Sequence, residues 1–189
     1  MSKPRGRPSQ GRGLSLDEIL ATALGLLEEG GTAGLTMRSL ASRLGVTPMS
    51  LYNHVADRAD LLLKLSDRVY SEVAQCVGLL DEPQAELRLV LIRYFDAVTR
   101  YPQLTLAIFA EPQAFAGVTR KVSEHLTALL GSLTPEPSLW RDILVDHAHG
   151  CGIALALSAG NGEAIQGQYA LALDRLLARI QTRDASVSA

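Results

Sequence analysis

A chain of 189 residues, 47% of them hydrophobic and 20% charged, is long enough to bury a core and lacks a disordered composition. A net charge of −2 excludes a uniformly basic nucleic-acid coat. Two cysteines, Cys76 and Cys151, exclude a disulfide framework and fit a reducing, cytoplasmic setting. No apolar run reaches the ~20 residues of a membrane-spanning helix, so a membrane partner is not expected.

Charge is unevenly spread. Residues 1–70 hold nine Lys/Arg against seven Asp/Glu, and residues 71–189 hold nine against thirteen. A polyanionic partner would therefore meet the front of the chain. The first thirteen residues, MSKPRGRPSQGRG, contain Lys3, Arg5, Arg7 and Arg12, no acid, two Pro and three Gly. They read as a disordered basic arm, and no apolar stretch follows to make it a secretory signal.

From Leu14 onward the pattern is helical throughout, which predicts an all-α protein. Ser15 and Glu18 form a capping-box pair ahead of Leu16, Ile19, Leu20, Ala23, Leu24 and Leu27, one face of a first helix ending at Gly30-Gly31. Thr36 caps a second helix reaching Leu44. Gly45 supplies a turn, Thr47 caps a short third helix, and Pro48 occupies its first position. Asp57 opens a fourth helix toward Cys76 or Val77. Pro83 begins a fifth, interrupted at Pro102. A short segment through Leu106 and Phe109 leads to a helix from about Gln113 to Leu130. Two more run from Trp140 to Ser158 and from Glu163 to Gln181, around a Gly-Asn-Gly turn. The last eight residues look frayed.

The stretch LTMRSLASRLGVTPMSLYNHVADRADLL, residues 35–62, has the parts of a helix-turn-helix. Ala41 is small where two helices touch, Gly45 tolerates a left-handed turn, and Leu40, Leu44, Val46 and Leu51 are apolar anchors. The exposed remainder suits DNA. Thr47, Pro48, Met49 and Ser50 sit at a helix N-terminus, which favours phosphate and base acceptors. Tyr52 and His54 suit phosphate, and Asn53 suits an adenine edge. Arg38 and Arg58 are placed to flank the groove, and the arm to follow the backbone or minor groove.

These residues carry a resemblance. The Leu35-Thr36 pair, Leu40-Ala41, Leu44-Gly45-Val46, the run from Leu51 to Val55 and Asp57-Arg58 resemble the DNA-binding segment of the tetracycline-repressor (TetR) family of bacterial regulators. The resemblance is tight over residues 14–65 and elsewhere extends only to the order of helices. It implies a basic arm at 1–13, a DNA-binding domain at 14–60, and a ligand-binding and dimerisation domain at 61–189. It implies a homodimer on a near-palindromic double-stranded operator, released by a small-molecule effector, and a role as repressor. By position, Thr36, Arg38, Thr47, Pro48, Met49, Ser50, Tyr52, Asn53, His54 and Arg58 become the expected DNA contacts.

Behind residue 80 the sequence is less specific. Ile143, Leu144, Ile153, Leu155, Leu157, Tyr169, Leu171, Leu173, Leu176, Leu177 and Ile180 make the last two helices apolar enough for core or for a partner copy, and Gly150, Gly152 and Ala154 permit close helix approach. Periodicity does not separate the two. A pocket is expected between the middle helices, lined by Leu91, Phe95, Leu104, Ile108, Phe109, Phe115, Trp140 and His147. Tyr94, Tyr101, Gln113, His125 and His147 are its expected polar groups, and the ligand is expected to be mainly apolar. Asp142, Asp146 and His149 have helical spacing for a metal, but no second ligand-rich segment accompanies them, so no metal or cofactor is expected. No nucleophile–base pair is legible, so no catalytic residue and no enzyme are expected. The competing reading is a helical protein-interaction module that does not bind DNA.

Overall fold

The computed structural model describes residues 14–158 and 162–181, and among them every regular element is helical. The basic arm and the expected turn at residues 160 and 161 lie outside that range. The elements are α1 (Leu16–Gly34), α2 (Met37–Leu44), α3 (Pro48–Tyr52), α4 (Arg58–Ala74), α5 (Pro83–Arg100), α6 (Pro102–Phe109), a 3-10 turn (Pro112–Ala114), α7 (Gly117–Gly131), α8 (Pro137–Leu157) and α9 (Gly162–Gln181).

The head is made of short elements closed at their ends. The Glu18 backbone N–H donates to the Ser15 hydroxyl at 3.2 Å, and Glu18 accepts from the Ser15 N–H at 3.0 Å. Thr36 and Ser39 repeat the device on α2. Ile19, Leu27, Leu35, Leu40, Ala41, Leu51 and Val55 close beneath as a dry core. Helix α1 breaks at Gly31, where φ is 61°, and then makes one further turn to Gly34. The helix that Gly30-Gly31 was expected to stop is therefore bent by Gly31 and finished later.

Helix α4 joins head to body. Leu61, Leu62, Leu65, Val69, Tyr70 and Val73 are all buried, and the core runs without interruption from α1 to α9. Helices α5 and α8 pack closely, and an added Cβ at Gly152 would strike the Val98 side chain. Gly152 thus serves contact within the chain, where close approach to a partner copy was also open. Helix α7 starts later than its expected start at Gln113. The Ala114 N–H donates to the Glu111 carbonyl in a 3-10 turn, and Gly117 has φ 56°, a reversal that separates that turn from the helix.

Helix α7 has no side-chain cap of its own at Ala116. The cap comes from α4, where the Asp67 carboxylate accepts from the Val118 N–H at 2.7 Å. A second anchor is Glu86, almost fully buried, which accepts from the Gly78 N–H and faces His125 Nε2 at 2.6 Å. Burial acts to raise this carboxyl, but the Gly78 and His125 contacts outweigh it and hold it below the ordinary range.

Candidate nucleic-acid interface and internal cavity

The corner between α2 and α3 is built by backbone geometry. Gly45 adopts φ 68°, ψ 28°, and its N–H reaches the Ser42 carbonyl at 3.2 Å. The following Val46 N–H returns to Ala41 at 3.0 Å, completing a left-handed helix stop. Helix α3 then begins at Pro48, with the Ser50 N–H donating to Thr47 Oγ1 at 3.3 Å and the two hydroxyls 3.0 Å apart. Leu51 and Val55 are buried and fix the roll of this single turn and a half.

That roll turns the rest outward. Met49 is 72% exposed and Tyr52 47%. Thr47, Pro48 and Asn53 are exposed, and Ser50 and His54 are half-exposed. Thr36 and Arg38 stand exposed on the neighbouring helix start, and Arg38 has no ion pair among the described residues. All ten expected contacts are therefore exposed or half-exposed. Arg58 differs, because its guanidinium donates to the Leu35 carbonyl at 3.4 Å and the Thr32 carbonyl at 3.3 Å. It stitches the start of α4 to the α1–α2 corner.

The body holds a cavity of about 430 Å³ between α4, α5, α6, α7 and α8, open to solvent on the side of Phe109 and Phe115. Its lining includes Tyr70, Tyr94, Thr105, Ile108, Phe109, Phe115, Val122, Val145 and His149, with Ser123 and Thr119 from α7 and Arg141 and Asp142 from α8. Of the expected apolar lining, Ile108, Phe109 and Phe115 are in place. Leu91, Phe95, Leu104, Trp140 and His147 are not. Leu91 and Leu104 are fully buried core, and Phe95 stacks on Tyr169 with ring centres 4.0 Å apart. Trp140 packs against the core without facing the cavity. His147 is turned toward α9, its ring 5.3 Å from Tyr169.

Of the expected polar groups, Tyr94 faces the cavity. Tyr101, Gln113, His125 and His147 do not. The group that sequence reasoning missed is the α8 face of Arg141, Asp142, Val145 and His149. Helical spacing of three to four residues was the available signal. It went unread because the same spacing fits a metal site or hydrogen-bonded polar groups at a helix interface as well as a cavity wall. Asp142 is instead held by Arg141 at 2.7 Å, and Asp146 Oδ1 stands 4.0 Å from His149 Nδ1.

Two polar pairs cross one wall of the cavity. The Tyr94 hydroxyl and His149 Nε2 share a hydrogen bond of 2.7 Å, and the Tyr70 and Thr105 hydroxyls lie 3.3 Å apart. Burial raises the phenols of both tyrosines, with Tyr94 well above its usual value, so both keep their protons. Burial lowers the His149 imidazole, with Asp146 acting in the other direction. The expected mainly apolar chamber is thus apolar with a row of hydrogen-bonding groups and the paired charges of Arg141 and Asp142.

A helix-turn-helix head in front of an all-helical body is the architecture of the described residues. Residues 19–65 match the family described as bacterial regulatory proteins, tetR family. The chain is 40% identical over 65 residues to the HTH-type transcriptional repressor DrrR1 of Streptomyces coeruleorubidus, a match covering 33% of this chain and 24% of that protein. It spans only about a quarter of the curated relatives it matches. Two solved structures share the fold. A TetR variant from Acinetobacter baumannii AYE in complex with minocycline aligns with TM-score 0.70 at 22% identity, covering 89% of this chain and 97% of that one. BioQ with its natural double-stranded DNA operator aligns with TM-score 0.68 at 22% identity, covering 89% and 98%. Over residues 19–65 the chain is thus similar to the tetR family, and over the rest it shares the fold of these two structures.

Proposed function

We propose that this chain is a ligand-responsive transcriptional repressor, with a head at residues 14–60 that reads DNA and a body at 61–189 that binds an effector and a second copy. The observation that carries the reading is the outward tip from Thr47 to His54, held upright by Gly45, Leu51 and Val55. A groove of duplex DNA admits one helix, and this tip offers it a proline-started N-terminus flanked by Tyr52, Asn53 and His54. The operator in the BioQ structure and the repressor role in the DrrR1 name are properties of those proteins that support extending the same work to this one.

The exposed apolar side chains on the last two helices support a homodimer. Leu139, Ile143 and Leu157 on α8 and Leu171 on α9 face outward, while Leu144, Leu173, Leu177 and Ile180 fill the core. Two copies joined by these faces make an isologous contact and set two tips on a near-palindromic site, about 34–36 Å apart. Effector binding then favours a spacing that DNA does not fit, by its differential affinity for the two states. Helix α4 is the connecting lever. It carries Tyr70 on the cavity wall, Asp67 on the cap of α7, and Asp57 at its own start beside the head.

The test uses the full-length protein and duplex DNA from upstream of its own coding region. Tyr52→Ala combined with His54→Ala should weaken binding about tenfold or more, with the melting temperature little changed. Equal affinity of wild type and double variant would remove the tip from the interface.

A further inference from the structure

We propose that the cavity between α4 and α8 takes an uncharged, largely aromatic molecule with a hydroxyl or carbonyl at one edge, and that Tyr94 and His149 read that edge. The inference rests on the cavity being the effector site, and narrows the effector by charge.

Charge is closed off around the cavity. The one cationic lining residue is Arg141. Its Nε and Nη2 donate to Asp142 at 2.8 and 2.7 Å, and its Nη1 donates to the Thr127 hydroxyl at 3.1 Å. Three of its five N–H groups are thus committed and its charge is already balanced by Asp142, so a carboxylate or phosphate would compete with Asp142 for it. A cation would find only Asp142, already shared, on the lining itself. Asp146, beside His149, is largely exposed to solvent. The remaining lining is neutral, with two phenols, three hydroxyls from Thr105, Thr119 and Ser123, and an imidazole that burial disfavours as a cation. An ionised ligand of either sign therefore meets no uncompensated counter-charge on the lining, and its desolvation weighs against it.

Recognition of a polar edge is left to the neutral row. A hydroxyl has one proton to give and two lone pairs, so the Tyr94–His149 bond and the Tyr70–Thr105 contact each leave capacity for a ligand. His149 Nδ1 is buried and has no hydrogen-bond partner among the described residues, with Asp146 Oδ1 standing 4.0 Å away. The same residues give aromatic surface, with the Tyr70 and Tyr94 rings 5.2 Å apart and Phe109 set edge-on to His149 at 4.7 Å. Flat rings are the shape such walls hold best.

Three fluorescent probes of one shape and different charge test this at neutral pH on the full chain: 1-hydroxypyrene, pyrene-1-carboxylate and pyrene-1-methylammonium. The hydroxyl probe should bind about tenfold or more tighter than either ion. Tyr94→Phe should shrink its advantage over plain pyrene, and Ser123→Trp, which fills the cavity from α7, should abolish binding. If Ser123→Trp does not fold, the Tyr94→Phe comparison decides alone. An ion that binds as tightly as the hydroxyl probe, binding that survives in folded Ser123→Trp, or no binding by any probe would overturn the assignment. Probe binding that leaves DNA affinity untouched would remove the effector role and leave the ligand class standing.

Discussion

The head and the cavity place their polar chemistry in opposite directions. In the head, Thr47, Met49, Tyr52 and Asn53 point to solvent from a helix of five residues, and nothing covers them. In the body, Tyr94 and His149 face inward from two long helices and share one hydrogen bond. An outward surface works by long-range charge and by contacts formed at the moment of binding. An inward one works by desolvation and fit. The same protein should therefore answer salt, truncation and acid differently at its two ends.

Salt gives the largest contrast. Raising NaCl from about 50 to 200 mM should lower operator affinity about a thousandfold, because phosphate contacts release counterions. Binding of an uncharged probe in the cavity should hardly move over the same range. Titrations of both ligands on one preparation check this. Equal salt response at both ends would mean that the head does not neutralise phosphates.

Truncation within the head comes next. Leu40 is fully buried among α1, α2 and α3, so Leu40→Ala should cost about 3 kcal/mol of stability. Met49 is largely exposed, so Met49→Ala should change stability by less than about 0.5 kcal/mol and act on DNA affinity alone. Urea denaturation and DNA binding, measured side by side, separate the two. A destabilised Met49→Ala would mean that the tip is part of the fold.

The contrast also explains what was legible in the sequence. The head could be read almost residue by residue because its signals are local. Ser15–Glu18, Thr36–Ser39, Gly45 and Thr47-Pro48 each act within a few positions, and the caps form where those residues stand. Arg58 was the exception, since its carbonyl partners at Thr32 and Leu35 lie more than twenty residues away. The cavity was legible only as a region. Its lining comes from five helices whose rolls are set by one another, so an apolar residue such as Phe95 had no local mark telling core from wall. Helix α7 shows the same limit, because its cap is a carboxylate on α4 that no reading of residues 113–118 reveals.

That remote cap yields a smaller effect. Asp67→Ala removes the acceptor for the Val118 N–H and should cost about 1 kcal/mol, the usual worth of a helix cap. Because Phe115 and Thr119 flank the cap and line the cavity, the same variant should loosen probe binding while leaving isolated contacts of the head intact. Hydrogen exchange at the first turn of α7 is the direct measurement, and unchanged protection there would show that the cap is dispensable.

Acid gives the smallest expected change, and it separates the body from the head by a single carboxylate. Glu86 is held below its ordinary value of 4.5 in the folded chain, because the Gly78 N–H and His125 outweigh the cost of burial. A carboxylate depressed on folding binds fewer protons folded than unfolded, so its contribution is complete above the unfolded value and disappears as pH falls through the folded one. Glu86→Gln should therefore lower the melting temperature at pH 7, and the gap to wild type should narrow as the pH falls below 4.5 and on through the lower folded value. The α4–α5 connection at Gly78 and the face of α7 at His125 should loosen together in the variant, since one carboxylate holds both. A gap that persists unchanged at low pH would assign the effect to packing of the side chain, because the protonated acid and the amide would then differ in shape alone.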